Sequence, residues 1–346
     1  MPNPLEPGRA VMTTPRSAFS VWILRAAGAL AAGALAACAP ADESGPADGG
    51  AGTAGATPTG ALPPDVEAIS FLGDTLRATP ATDETLDTQL AQLADAQAVY
   101  EAAPEDADAI IWLGRRTAYL QRYRAAIQIF SRGIELHPGN ARMYRHRGHR
   151  YISTRRLDLA IADFERAAEL IAGQPDEIEP DGQPNARGIP TSSLQSNIWY
   201  HLGLAHYLKG DFEAALPAYE SYLAVSNGPD GLVAISHWKY MALRRLGRDA
   251  EAAAVLEPIT ADMDIIENGS YHQLLLMYKG EIEPERLWSA VDDALGSATT
   301  GYGVANWHLY NGREAEARAA FERVIATGQW ASFGYIATEA ELARMR

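Results

Sequence analysis

The chain has 346 residues, with 29 basic against 44 acidic side chains, a net charge of −15 and a single cysteine. An acidic balance of this size argues against nucleic acid as a partner. One cysteine excludes an internal disulfide, so stability rests on packing, for which the length is ample.

At the N-terminus Arg9, Arg16 and Arg25 stand against one acid, Glu6, and an uncharged run extends from Ala26 to Ala37. That is the charged-then-apolar order of a secretory signal. The uncharged run is 12 residues long, where a membrane-spanning helix needs about 20. Extending it back to Ser17 puts Arg25 in mid-segment, at a cost of about 2.5–3.5 kcal/mol. Leu35-Ala36-Ala37-Cys38 resembles a bacterial lipobox. The resemblance implies that residues 1–37 are removed and that Cys38 carries diacylglycerol and an acylated amino group. Several buried acyl chains then hold the protein on a membrane. Ala39, in the place after the cysteine, resembles sorting to the outer membrane in enteric-type bacteria, with the protein on the periplasmic side. A plain Ala-x-Ala cleavage with an incidental cysteine is the alternative. Residues 38–64 are almost all Ala, Gly, Pro, Thr, Asp and Ser, too poor in apolar side chains to repay ordering, and read as a flexible tether.

Residues 65–106 form an N-terminal segment whose stretch Thr85–Ala102 has leucines and alanines at helical spacing, suited to capping the first hairpin of a helical stack. From 107 to 229 the chain repeats itself. Gly114 and Gly148, Ala126 and Ala160, and Phe130 and Phe164 are each separated by 34 residues. The next copy, Gly203, Ala215 and Tyr219, comes at an offset of 55, one more period plus a 21-residue insertion. These positions resemble the tetratricopeptide repeat, a hairpin of two helices. The first copy, from Ala107, supplies Ile110, Leu113, Gly114, Ala126, Phe130 and Pro138; the second supplies Tyr144, Gly148, Tyr151, Ala160, Phe164 and Ala167; the third supplies Trp199, Leu202, Gly203, Ala215 and Tyr219. Small residues let the paired helices approach and aromatics fill the space between hairpins. Pro217 falls inside a predicted helix, where it removes a hydrogen bond and predicts a bend.

Beyond 230 the pattern weakens but keeps its beat through the turn glycines Gly210, Gly247, Gly280 and Gly312. It predicts hairpins at 233–259, 264–296 and 302–327, and a final helix within Trp330–Arg346 as a terminal cap. Nothing reads as strand. The expected fold is all-α, a right-handed superhelix of tetratricopeptide-type hairpins. The layout of the C-terminal half, with HWKYMALRRLG and ANWHLYNGREAEARAAFERVIATG, is also similar to periplasmic lipoprotein adaptors typified by new lipoprotein I, which bring cell-wall hydrolases and a protease together.

Charge is unevenly placed. Between Ala109 and Leu157 stand 11 arginines, no lysine and one acid, Glu135. In the resembled family the first helix of each hairpin lines a concave ligand surface. That implies a groove built by Arg115, Arg142, Arg145 and His149, continued by Asn197, Tyr200 and Tyr207. Arginines there suit carboxylates or phosphates, and the partner expected is an acidic protein or peptide. A variant of the family grips a terminal carboxylate with Lys at repeat position 5 and Asn at 9, where this chain has Ile111 and Arg115. The insertion GQPDEIEPDGQPNARGIPTSS, within a loop at 173–195, has four acids and one arginine. It is able to fold back over the basic groove.

Catalytic signatures are missing. There is no glycine-rich phosphate loop, no Gly-x-Ser-x-Gly and no His-Glu-x-x-His. His146-x-x-His149 lacks a nearby carboxylate or thiol to complete a metal site and reads as surface histidines; His272 and His308 read as packed or capping residues, and Asn268-Gly269-Ser270 as a turn. The acidic run Asp176, Glu177, Glu179, Asp181 and the pair Asp292-Asp293 read as solvated faces. The expectation is a membrane-anchored interaction scaffold with no cofactor and no metal, not an enzyme. The competing classes are a helical-toroid enzyme acting on envelope polysaccharide with paired carboxylates and a purely structural oligomer.

Overall fold

Residues 62–79, 83–226, 228–289, 291 and 293–346 are described by the computed structural model. The signal segment, Cys38 and the tether as far as residue 61 lie outside the described residues, as does Asp292.

A short ribbon comes first: β1 (Ala68–Ile69) pairs antiparallel with β2 (Thr75–Leu76), Ala68 opposite Leu76. The expectation of no strand gives way here to a two-residue ladder. Its cause is local: Ser70 Oγ accepts from the amides of Leu72 and Asp74 while Gly73 takes φ 99°, which folds the chain back on itself.

The regular elements that follow are all helices among the described residues: α1 (Asp83–Ala102), then the hairpins α2 (Ala107–Tyr119) with α3 (Tyr123–Leu136), α4 (Ala141–Ser153) with α5 (Leu157–Ile171), and α6 (Leu194–Lys209) with α7 (Phe212–Val225). They continue as α8 (Pro229–Arg245) with α9 (Asp249–Leu256), α10 (Gly269–Tyr278) with α11 (Pro284–Ser289), α12 (Ala294–Tyr310) with α13 (Glu314–Ala326), and α14 (Phe333–Arg344). The fold is the all-α solenoid of stacked hairpins that the periodicity implies. Helix starts are written in the chain: Asp106, Asn140, Ser193, Asp293 and Ser332 each accept from an amide of the first turn. Pro217 lies within α7 without ending it.

Inside each of the first three hairpins one contact recurs. A Cβ on Gly114 would come within 2.5 Å of the Phe130 ring, and one on Gly148 within 3.0 Å of Phe164. One on Gly203 would collide with Tyr219. Ala126, Ala160 and Ala215 are fully buried beside them, and Pro138 sits in the turn between α3 and α4. Small against aromatic is what allows the two helices to touch.

The stack does not stay open. α14 crosses the C-terminal ends of α4, α6 and α8. Arg155, just past α4, reaches Glu339; Leu208, in the last turn of α6, gives its carbonyl to Arg344; Arg245, ending α8, pairs with Glu341 at 2.6 Å. The ribbon joins the same point, because the Phe71 amide donates to Glu339 and Arg346 donates to the Leu72 carbonyl. Residues 66–76, placed by the sequence ahead of the capping helix, therefore pack against the far end of the chain.

Candidate functional site

Side chains of α2, α4 and α6 reach the 173–193 insertion, which crosses these helices as a strap. Of those 21 residues only Glu179 and Gly182 are buried. Glu179 reaches down to α4 and α6: its Oε2 accepts from Asn197 Nδ2 at 2.6 Å and lies 3.0 Å from Arg145 Nε, while its Oε1 is 3.5 Å from His146 Nε2. The strap backbone is held too, with the carbonyls of Pro180 and Gly182 accepting from Arg115 and Arg116. Gly182 passes so close over Tyr119 that a Cβ would strike the hydroxyl.

Electrostatics follow from burial. The His146 ring is 5% exposed and sits near Arg145, Arg115, Arg142 and Arg150. Burial first, then those guanidinium charges, holds its pKa well below the ordinary value. Its Nδ1 accepts from Arg145 Nη1 at 2.9 Å, so Nε2 carries the proton and points at Glu179. His149 is likewise held neutral by burial and by Arg150, and His201 is lowered to about 3 by burial and Arg145. Burial also lowers the pKa of Arg145 and Arg150.

The seven expected groove residues therefore divide. Arg115, Arg145 and Asn197 converge on the strap. Arg142 turns to the neighbouring hairpin and pairs with Asp108 at 2.6 Å. His149 and Tyr200 face α14 through the Phe333 ring, at 5.4 and 6.3 Å. Tyr207 is withdrawn altogether: it is fully buried and its hydroxyl meets those of Tyr302 at 2.7 Å and the amide of Asn306 at 2.9 Å. The reason is that the C-terminal hairpins pack back onto α6, so a surface that is concave in a short stack is core in this one.

Further expectations are corrected. His146 is buried, not a surface histidine, because Glu179 of the strap and the stacked Phe130 ring of α3 lie against it. In the acidic run only Asp176, Glu177 and Asp181 are solvated; Glu179 is 8% exposed. Asp293 caps α12. His272, by contrast, is packed as expected, buried against the Thr260 carbonyl, and Asn268 is held by Asp230. No group of three or more metal-ligating side chains occurs among the described residues. Sequence reasoning missed Arg116, Tyr119, His146 and His201 as site residues. The first lies beside Arg115 in the arginine-rich segment, so the charge count alone pointed to it.

A family profile described as Tetratricopeptide repeat matches residues 113–175 and 192–231. The chain thus contains tetratricopeptide repeats there, a module that serves as a protein–protein interaction scaffold. Among solved structures, a tetratricopeptide repeat protein from Parabacteroides merdae is 12% identical over 76% of this chain and 94% of that one, with a TM-score of 0.47. YrrB, described as a TPR protein with an unusual peptide-binding site, is 14% identical over 67% of this chain and 91% of that one at 0.38. MamA is 16% identical over 58% and 89% at 0.39. Likenesses this weak carry no weight on function. No curated protein matches the sequence.

Proposed function

We propose that the chain is an interaction scaffold, anchored through lipid on Cys38 to the periplasmic face of a bacterial outer membrane, that receives an acidic protein or peptide on its arginine-rich concave side. The anchor rests on the lipobox-like Leu35–Cys38 and the polar tether behind it. One observation carries the binding half: a carboxylate, that of Glu179, already sits among Arg145, His146 and Asn197. Arginine is suited to such recognition because its guanidinium keeps its charge when buried and is weakly hydrated. The other inward acids do not favour an enzyme. Glu339 is paired with Arg155, and Glu341 with Arg245 and Arg344, the arrangement of structural ion pairs.

The test is in-cell photo-crosslinking from the exposed strap position Ile178, in cells making the native chain or its Arg145→Glu variant. The expected result is an adduct with an acidic envelope protein that disappears in the variant. An adduct of equal yield from both chains, or none from either, defeats the reading.

A further inference from the structure

We infer that the hollow beneath the strap is a receptor for a side-chain carboxylate on an extended acidic peptide, and that residues 173–193 occupy it as a built-in competitor. The inference deepens the scaffold reading and depends on it for the class of partner. It identifies which residues grip that partner and what must leave first.

The strap is not held as core is held. Its two large apolar residues, Ile178 and Ile189, are 65% and 43% exposed, so burial of apolar surface contributes little to its position. What remains is one buried acid, two backbone carbonyls and, at the base of the strap, exposed hydrogen bonds from Ser193 and the Gln195 amide to Asp176, with one from the Leu194 amide to the Glu177 carbonyl. The carbonyls of Pro180 and Gly182, taken by Arg115 and Arg116, are features any extended chain offers. Only Glu179 adds identity. At its far end the strap is tied by contacts in solvent: Arg187 to Asp264, both well exposed, and Asn185 and Thr191 to Glu267. Such pairs contribute little. Gly173 at φ 72° and Gly188 at φ 63° stand near its two ends, where a rigid-body swing needs backbone freedom.

The resident carboxylate also fits imperfectly. Its contact with Arg145 Nε is off the N–H direction, and 3.5 Å to His146 Nε2 is too long for a hydrogen bond. Three buried atoms, Arg145 Nε, His146 Nε2 and Glu179 Oε1, are thereby left without a hydrogen bond. Nearby, Arg150 lies against the Tyr123 ring at 4.9 Å and has no carboxylate partner among the described residues. A hollow with Arg115, Arg145 and Arg150 holds one acid where a peptide with two can bring another. Leaving buried donors unpaired is costly, so a ligand that pairs them displaces one that does not.

The probe is a terminally capped peptide of residues 175–182, PDEIEPDG, titrated against the full chain and its Glu179→Gln variant. We expect the variant to bind about tenfold more tightly, since the native site is free only in the fraction with the strap open. The same peptide with glutamine at the position of Glu179 should lose that gain. Equal affinity for both chains, no binding to either, or undiminished binding of the glutamine peptide overturns the inference. Should the variant not fold, hydrogen exchange on the native chain decides. Saturating peptide must speed exchange across 176–191 while leaving α4 and α6 unchanged, and an unchanged strap defeats the idea. Failure to crosslink a client in cells would leave these results standing, so the two readings fail separately.

Discussion

Arg155 occupies a backbone conformation that its side chain disfavours. Its φ is 64°, in the left-handed region, and so is that of Gln121 at 56°; the matching turns of later hairpins use Gly210, Gly247, Gly280 and Gly312. A non-glycine residue there costs about 1–2 kcal/mol. Arg155 is retained because its guanidinium donates twice to Glu339 and once to the Trp330 carbonyl, and Gln121 accepts from the Thr79 amide. Both side chains pin a segment distant in sequence. Arg155→Gly should therefore destabilise by about 2–4 kcal/mol in urea unfolding, because relief of strain is smaller than the roughly 3–5 kcal/mol cost of stranding a buried carboxylate. Adding Glu339→Gln should recover part of the loss, with a coupling energy of about 1–3 kcal/mol in the double-mutant cycle. Additive effects would mean the pair does not act as a unit. At this scale the glycine turns were legible from spacing. Arg155 was not, although it stands 34 residues after Gln121 and 55 before Gly210, since a search for turn glycines passes over an arginine.

Among the elements, α14 departs furthest from a simple cap. A terminal helix on an open solenoid covers one apolar face and leaves the other side to water. Here Ile336, Ala337, Glu339, Ala340 and Glu341 are all buried, because the helix also lies across the ends of α4, α6 and α8. Each large side chain so buried stabilises by about 1.5–3 kcal/mol, and the whole protein has only about 5–15 kcal/mol to lose. A chain ending at Ala331 should bind an apolar dye and show no cooperative thermal transition by circular dichroism. A sharp transition at the native midpoint would instead make α14 a dispensable cap. The existence of α14, α1 and the hairpins between them was readable from periodicity. What α14 touches was not, since Glu339 and Glu341 look like the solvated acids of any surface helix until they are seen buried against arginines.

Across the whole molecule, closure puts titratable groups where water cannot reach them. His201 and His237 are lowered to about 3 by burial, and His146 and His149 lie well below their ordinary range. The unfolded chain takes up these protons near pH 6.5, whereas the folded chain does not until near pH 3 for His201 and His237. Between those values the unfolded state binds more protons, so stability is complete above about pH 6.5 and falls as pH drops, by up to about 1.4 kcal/mol per unit for each histidine. Urea midpoints measured from about pH 7.5 to 5 should decline accordingly, and His201→Gln should flatten the slope. A flat profile in the native chain would show that these rings are hydrated. By itself the sequence determined the helical hairpins, their period, the small-against-aromatic contacts and the excess of arginine on the inner helices, because those depend on neighbours one turn or one repeat away. Only the tertiary structure decided that α4 and α6 are covered, by α14 across their ends and by Glu179 of the strap against Arg145 and Asn197. The contacts of α14 join residues as far as 268 positions apart, and no local pattern records which distant carboxylate a buried arginine will meet.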